Sequence, residues 1–203
     1  MLIVSIVCCK LVRHFWSRDN WTNGQLEYFD ESHVSVNESI FFLDTSLKTR
    51  RSWPGRLGCS LESVVKQNPG RKVFVIVDIH SGIKAVPNYF SALSEVYFVV
   101  ADFKALSRGT PGFAIWENGE LEAAKIRVVC TSELMRLVLL YKFGGVFADM
   151  DYIFKAPLPW SASNFFASQY NGNVNGALMR FGKGHPYLKL ALENYVSIFF
   201  SLM

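Results

Sequence analysis

Histidine is scarce in this chain, with 4 in 203 residues, and its 4 cysteines form no CxxC pair. No histidine stands at metal-ligand spacing either, which excludes a zinc site. Charge is sparse too, at 19% of residues with a net +4. No nucleic-acid motif accompanies that mild excess, so DNA and RNA are excluded as partners. The notable basic cluster is Lys48, Arg50, Arg51 and Arg56, which reads as a solvated loop or as an anion-facing one. No apolar run reaches the roughly 20 residues that cross a bilayer. The short apolar start, residues 1–9, is followed by Lys10 and Arg13. It reads as a weak signal sequence or as the remnant of a signal anchor within a segment 1–13.

What is present is apolar and aromatic. Half of the residues are hydrophobic and 15% are aromatic, so the chain is not a disordered polar one. Its length suffices for one domain with a core of its own. Residues 14–38 are polar and without clear period, and read as a stem or linker ahead of a domain over 39–203. Asn20 and Asn37 each begin a glycosylation sequon, Asn20-Trp21-Thr22 and Asn37-Glu38-Ser39, and predict luminal exposure. Cys8 and Cys9 fall in the apolar start. Cys59 and Cys130 lie near predicted helix starts, either as buried thiols or as an oxidised pair.

From residue 40 onward strand and helix signals alternate. Ile40, Phe41, Phe42 and Leu43 form a short apolar run ending in a polar turn, Asp44-Thr45-Ser46. Residues 57–67 read as a helix that Asn68-Pro69-Gly70 stops. Residues 72–77 and 96–100 are strands too uniformly apolar to be half exposed. This alternation predicts an α/β fold, an open sheet of parallel strands with flanking helices. Residues 132–143 predict a strong helix, with Leu134, Val138 and Tyr141 on one face and Leu137 beside them. Thr131 or Ser132 caps its start and Gly144-Gly145 ends it. Val146, Phe147 and Ala148 then form the next strand. Residues 164–168 and 177–181 predict short strands around an Asn/Gly loop, and His185-Pro186 opens a last helix through Tyr195.

Asp149-Met150-Asp151 ends the strand after that glycine pair. Extended backbone projects both carboxylates to one side, and two hard oxygen ligands suit Mn²⁺ or Mg²⁺. A cation there clamps the phosphates of a nucleotide-activated substrate. Composition alone yields roughly a quarter of one such pair by chance, so position carries the argument. Ligands of open α/β sheets bind outside the carboxyl ends of the strands, where these aspartates stand. Glu133 and Arg136, one turn apart on the preceding helix, form either a helix ion pair or a donor–acceptor set for a bound sugar. The rival chemistry, an aspartyl nucleophile of the phosphatase type, needs further acids downstream. Glu193 is the sole acid after Asp151, and that reading fails.

These residues carry a family likeness. Ser132-Glu133-Leu134-Met135-Arg136 and the run from Lys142 to Asp151 resemble the DxD sugar-binding region of glycosyltransferases. The resemblance is nearest to the α1,4-galactosyltransferase / α1,4-N-acetylglucosaminyltransferase family. The segment 40–46 is similar to that family's first strand and nucleotide-facing turn, and Cys59-Ser60-Leu61-Glu62-Ser63 to its first helix. Asn175-Gly176-Ala177 and His185-Pro186 match later landmarks, so the likeness covers about residues 38–197. It implies a GT-A, Rossmann-like fold, Mn²⁺ or Mg²⁺, a UDP-sugar donor, a glycan or glycolipid acceptor, and retention. It also implies a type II Golgi membrane protein, with membrane association through the N-terminus or the acceptor. Asp151 is implied as metal ligand, with Asp149 on the metal or ribose. Glu133, Arg136 and Asn175 are implied at the donor sugar, and Asp44, Thr45 and Ser46 near the uridine.

Two departures shape the expectation. The family usually has Asp where Glu133 stands, and the extra methylene pushes the carboxylate outward. The family also continues into a Gly-Pro element on its acceptor side, and this chain has no Gly-Pro dipeptide. The reading is a metal-dependent hexosyltransferase, galactose-type or N-acetylhexosamine-type, whose C-terminal part is missing. Its alternative is an inactive fragment that binds nucleotide sugar.

Overall fold

The computed structural model describes residues 26–45, 53, 55–81, 86, 90, 92–117, 119, 121, 124, 126–168 and 172–201. The apolar start, Asn20, Ser46 and the cluster Lys48, Arg50 and Arg51 lie outside them.

Seven strands form one mixed sheet: β1 (Glu27–Tyr28), β2 (Ile40–Asp44), β3 (Val73–Asp78), β4 (Val96–Ala101), β5 (Gly145–Ala148), β6 (Phe165–Ser168) and β7 (Val174–Phe181). Among the described residues five α-helices accompany them: α1 (Gly55–Gln67), α2 (Phe103–Leu106), α3 (Ala114–Glu117), α4 (Arg127–Phe143) and α5 (Pro186–Ser201). The sheet order is β1-β4-β3-β2-β5-β7-β6. β1 to β5 pair in parallel, with Ile40 opposite both Val73 and Val146. β7 then pairs antiparallel with β5 and with β6.

Every residue of β2 and β3 is buried. The alternation of side chains explains why both strands read as unbroken apolar runs. Phe41, Leu43, Phe74 and Ile76 face one core with Leu134, Val138 and Leu192 from α4 and α5. Ile40, Phe42, Val73 and Val75 face the other, against Leu57, Leu61 and Val64 of α1.

Three expectations are corrected. The sheet is not purely parallel, because β6 and β7 join through a short connection, which antiparallel pairing permits and parallel pairing does not. α4 begins at Arg127, so Thr131 and Ser132 lie inside it, and the capping position is Ile126 with no side-chain cap. Tertiary contacts draw those early residues into the helix despite their branched side chains: the Val128 carbonyl accepts from the Thr45 hydroxyl at 3.0 Å. The expected stem also reaches into the folded part. β1 extends the sheet, and the Phe29 ring packs edge-on against Phe74 and Phe143.

The junction of α4 and β5 depends on backbone freedom. Gly144 and Gly145 have φ of 66° and 99°, where a Cβ is strained. There is no room for one at Gly145 in any case, since it would meet the Ser39 carbonyl. Asn37 is exposed on the surface, and its side-chain carbonyl accepts from the Lys183 amide at 2.7 Å. Ser39 of the same sequon is buried. Cys130 is buried in α4, and Cys59 on α1 does not pair with it.

Candidate functional site

The chain runs β2, β3, β4 outward on one side of β2, then returns to place β5 on the other. That reversal opens a crevice at the carboxyl ends of β2 and β5, where open α/β sheets bind ligands. Asp44 and Thr45 leave β2 there, and Asp149 leaves β5. A cleft of about 390 Å³ occupies the place. Asp44, Thr45, Glu133, Arg136, Asp149 and Asp151 all line it, with Arg56, Ser132, Val128 and Val129 completing much of the wall. Sequence positions more than a hundred apart thus converge on one cavity. Asn175 is not among its described lining residues.

The two aspartates do not continue the strand. β5 ends at Ala148, and the Tyr152 amide donates to the Asp149 carbonyl at 3.0 Å. The carboxylates therefore share the cleft from a turn, and the expected alternation of an extended segment does not apply. The Asp149 amide still donates to the Ala177 carbonyl at 2.8 Å, which ties the turn's first residue to β7.

Each carboxylate has its own guanidinium. Arg136 Nη2 lies 3.6 Å from Asp149, and Arg56 Nη1 lies 3.3 Å from Asp151. Arg136 is held in place. Its Nη1 donates to the Gly176 carbonyl at 2.8 Å, and it reaches the Ser132 carbonyl and hydroxyl at 3.3 and 3.2 Å. The guanidinium also sits 4.9 Å from the Phe147 ring centroid, within cation–π range. Gly176 is required for this approach, since a Cβ there would stand 2.9 Å from Nη1. Asn175 serves the same contact from outside the cleft: its side-chain oxygen accepts from the Ala177 amide at 2.8 Å and fixes the backbone beside Gly176.

Burial pushes the Asp149 carboxyl above the usual aspartate range. The Arg136 charge works against that shift and the Asp151 charge adds to it. Glu133 is exposed at the cleft, 3.4 Å from the Tyr195 hydroxyl of α5. That hydroxyl donates over a shorter distance, 3.0 Å, to the Cys130 carbonyl. Burial, then nearby acidic groups, pushes the Tyr195 phenol far up, so it stays protonated as a donor.

Sequence reasoning missed the supports of the turn. The Ser60 hydroxyl donates to the Tyr152 carbonyl at 2.6 Å, and the Phe154 amide donates to Ser63 at 3.0 Å. Asn68 accepts from the Leu158 amide and the Trp160 indole, each at 3.0 Å. α1 and the residue that follows it thus tether the exit from the aspartates. The available signal was the spacing of the small polar residues Ser60 and Ser63 on α1 and Asn68 just past its end.

Residues 54–169 match a family model described as a glycosyltransferase sugar-binding region containing a DXD motif. Human alpha-1,4-N-acetylglucosaminyltransferase is 28% identical over 174 residues, which are 82% of this chain and 50% of that protein. Human lactosylceramide 4-alpha-galactosyltransferase is 29% identical over 174 residues, 81% of this chain and 48% of that one. The chain thus spans about half the length of these curated relatives. The solved structure of PaToxG glycosyltransferase superposes with a TM-score of 0.57, covering 96% of this chain and 72% of that one at 17% identity. At that identity the likeness establishes the fold, which is of the GT-A type.

Proposed function

The chain belongs to the family of glycosyltransferase sugar-binding regions containing a DXD motif, and from that premise we propose a metal-dependent hexosyltransferase. Its donor is a UDP-sugar carrying a galactose-type hexose or an N-acetylhexosamine. Its acceptor is a glycan or glycolipid, and the anomeric configuration is retained. The observation that carries this reading is the convergence of Asp44, Thr45, Glu133, Arg136, Asp149 and Asp151 on one cleft at the switch point of the sheet. Activities named for the similar human proteins, transfer of galactose to lactosylceramide and of N-acetylglucosamine, support it.

The donor set fits a divalent cation. Two carboxylates two positions apart in one turn supply hard oxygens, and among the described residues no group of three or more His, Cys, Asp or Glu is gathered for a metal. Mn²⁺ and Mg²⁺ are commonly held in this way, by one or two carboxylates with the remaining positions left to phosphates and water. Asp151 and Asp149 would hold the ion, which when bound neutralises charge on the diphosphate.

The chain's own residues do the rest. Asp44 and Thr45 present polar atoms to the nucleoside side of the cleft. Arg136, fixed by Gly176 and Ser132, sets the position of Asp149 and faces the sugar side with a rigid fork of donors. Glu133 accepts from sugar hydroxyls. A locked guanidinium beside a partly buried carboxylate costs no reorganisation when charge develops on the leaving group.

A luminal Golgi location with type II topology accompanies this reading, and the exposed Asn37 supports it. Among the described residues no helix is long and apolar enough to cross a membrane. A second reading is donor binding without transfer. UDP release from UDP-galactose or UDP-N-acetylglucosamine, measured with Mn²⁺ and with or without lactosylceramide, separates the two. Acceptor-dependent release is the expected result. Nucleotide-sugar binding without acceptor-stimulated release would establish the second reading.

A further inference from the structure

We propose that Arg56 is an exchangeable counter-ion of the site: its guanidinium, paired here with Asp151, turns to the donor's diphosphate when a divalent cation takes that carboxylate. The inference rests on the metal-dependent donor reading above and adds a residue to it.

The two arginines that line the cleft differ in how they are held. Arg136 has a side chain only 16% exposed, and backbone, hydroxyl and ring contacts fix it. The Arg56 side chain is 77% exposed, and its one hydrogen bond among the described residues, of 3.3 Å, goes to an Asp151 that is itself 57% exposed. Exposed pairs of this kind contribute little, so little opposes their exchange. Arg56 stands in the first turn of α1 and reaches across 95 positions of sequence to the DxD turn. The side chain is thus long, held at its tip by an exposed pair and already inside the cleft.

Charge gives the exchange its direction. Among the described residues, Asp44, Glu133, Asp149 and Asp151 face Arg56 and Arg136 across the lining, a formal excess of two negative charges. A dication meets that excess but competes with Arg56 for Asp151. Once displaced, a guanidinium beside a diphosphate finds a better partner there, because its planar fork matches phosphate oxygens. Arg56 therefore opposes the ion taken alone and favours the nucleoside diphosphate taken with the ion. A residue that only shapes the turn would move both affinities the same way, or neither.

Calorimetry on Arg56→Gln tests this with two titrations. Mn²⁺ alone should bind about two- to fivefold more tightly than to the wild type, reflecting loss of a weak competitor. UDP with saturating Mn²⁺ should bind about tenfold more weakly, reflecting loss of one charge-assisted phosphate contact. Arg56→Lys, which keeps the charge without the fork, should lie between wild type and Arg56→Gln in both titrations. Arg56→Gln that binds Mn²⁺ no more tightly, or UDP no more weakly, overturns the proposal. Asp151→Asn separates the causes of failure. If it binds Mn²⁺ as well as the wild type, the metal reading falls and this inference with it. If it loses Mn²⁺ while Arg56→Gln matches the wild type, the inference alone falls.

Discussion

The two halves of the sheet are built differently. β2 and β3, at the centre of the parallel half, are buried along their whole length. β6 on the antiparallel flank has no fully buried residue, and β7 is exposed at its start. The flank also holds Arg180, whose Nε and Nη1 are buried without a hydrogen-bond partner among the described residues. That side chain rests on the Trp160 ring at 5.1 Å. Its pKa is lowered by burial and then by the neighbouring Arg71 charge. Stability is therefore concentrated in the parallel half, while the flank contributes placement: the β7 backbone carries the Gly176 carbonyl that anchors Arg136 and the Ala177 carbonyl that receives Asp149. The cleft lies where the two halves meet, at β5, which pairs parallel with β2 and antiparallel with β7.

The contrast breaks or sharpens at named side chains. Phe42, fully buried in β2, is expected to cost about 3–5 kcal/mol as Phe42→Ala. Phe165→Ala, at a half-buried position of β6, should cost only about 1–2 kcal/mol. Urea unfolding measures both, and equal costs would erase the distinction between the halves.

Asp149→Asn probes the meeting line. Burial raises the native pKa of this carboxyl, so its ionised form weakens the folded state. The cost is absent below the ordinary aspartate range, develops as pH rises through the raised native value, and is complete above it. Asp149→Asn should therefore be more stable than wild type at pH 7, by less than about 1 kcal/mol because the side chain is 36% exposed. The gap should close near about pH 3. Thermal melts across pH read it, and a gap that widens in acid would reverse the sign assigned here.

Gly176→Ala should change stability least, by under about 1 kcal/mol, because the atom its Cβ meets ends a long side chain. The same substitution should push the Arg136 guanidinium off its carbonyl and weaken donor binding about fivefold. Donor affinity unchanged by Gly176→Ala would deny the flank its role in placing the site.

This difference between halves also explains what was legible in the sequence. Ile40 to Leu43 and Val73 to Val77 announce themselves because both faces are covered, leaving no polar position to interrupt the run. The end of α4 was legible from Gly144-Gly145, whose positive φ angles only glycine adopts easily. Its start was not. Thr131 looks like a cap but is buried within the helix, and the first turn exposes Val128 and Val129 at the cleft wall. β7 begins at Val174 rather than at residue 177, and a register shift at Phe166/Ala167 marks where its partner departs from regular pairing.

Within the site, Glu133, Arg136, Asp149 and Asp151 were readable because they are close in sequence and carry a family pattern. Arg56, Ser60 and Tyr195 were not. Their contacts span 95, 92 and 62 positions, and no local period encodes them. Asn175 stood in a readable motif, yet its side chain serves the backbone beside Gly176.

The central claim is that Asp149 and Asp151 form the metal-assisted end of a nucleotide-sugar cleft. Calorimetric titration of UDP in the presence of Mn²⁺, on wild type and Asp151→Ala, tests it most directly. The account predicts Mn²⁺-dependent UDP binding by the wild type and a loss of at least about tenfold in the variant. Equal binding by the two proteins, or no binding by a folded wild type, would contradict it.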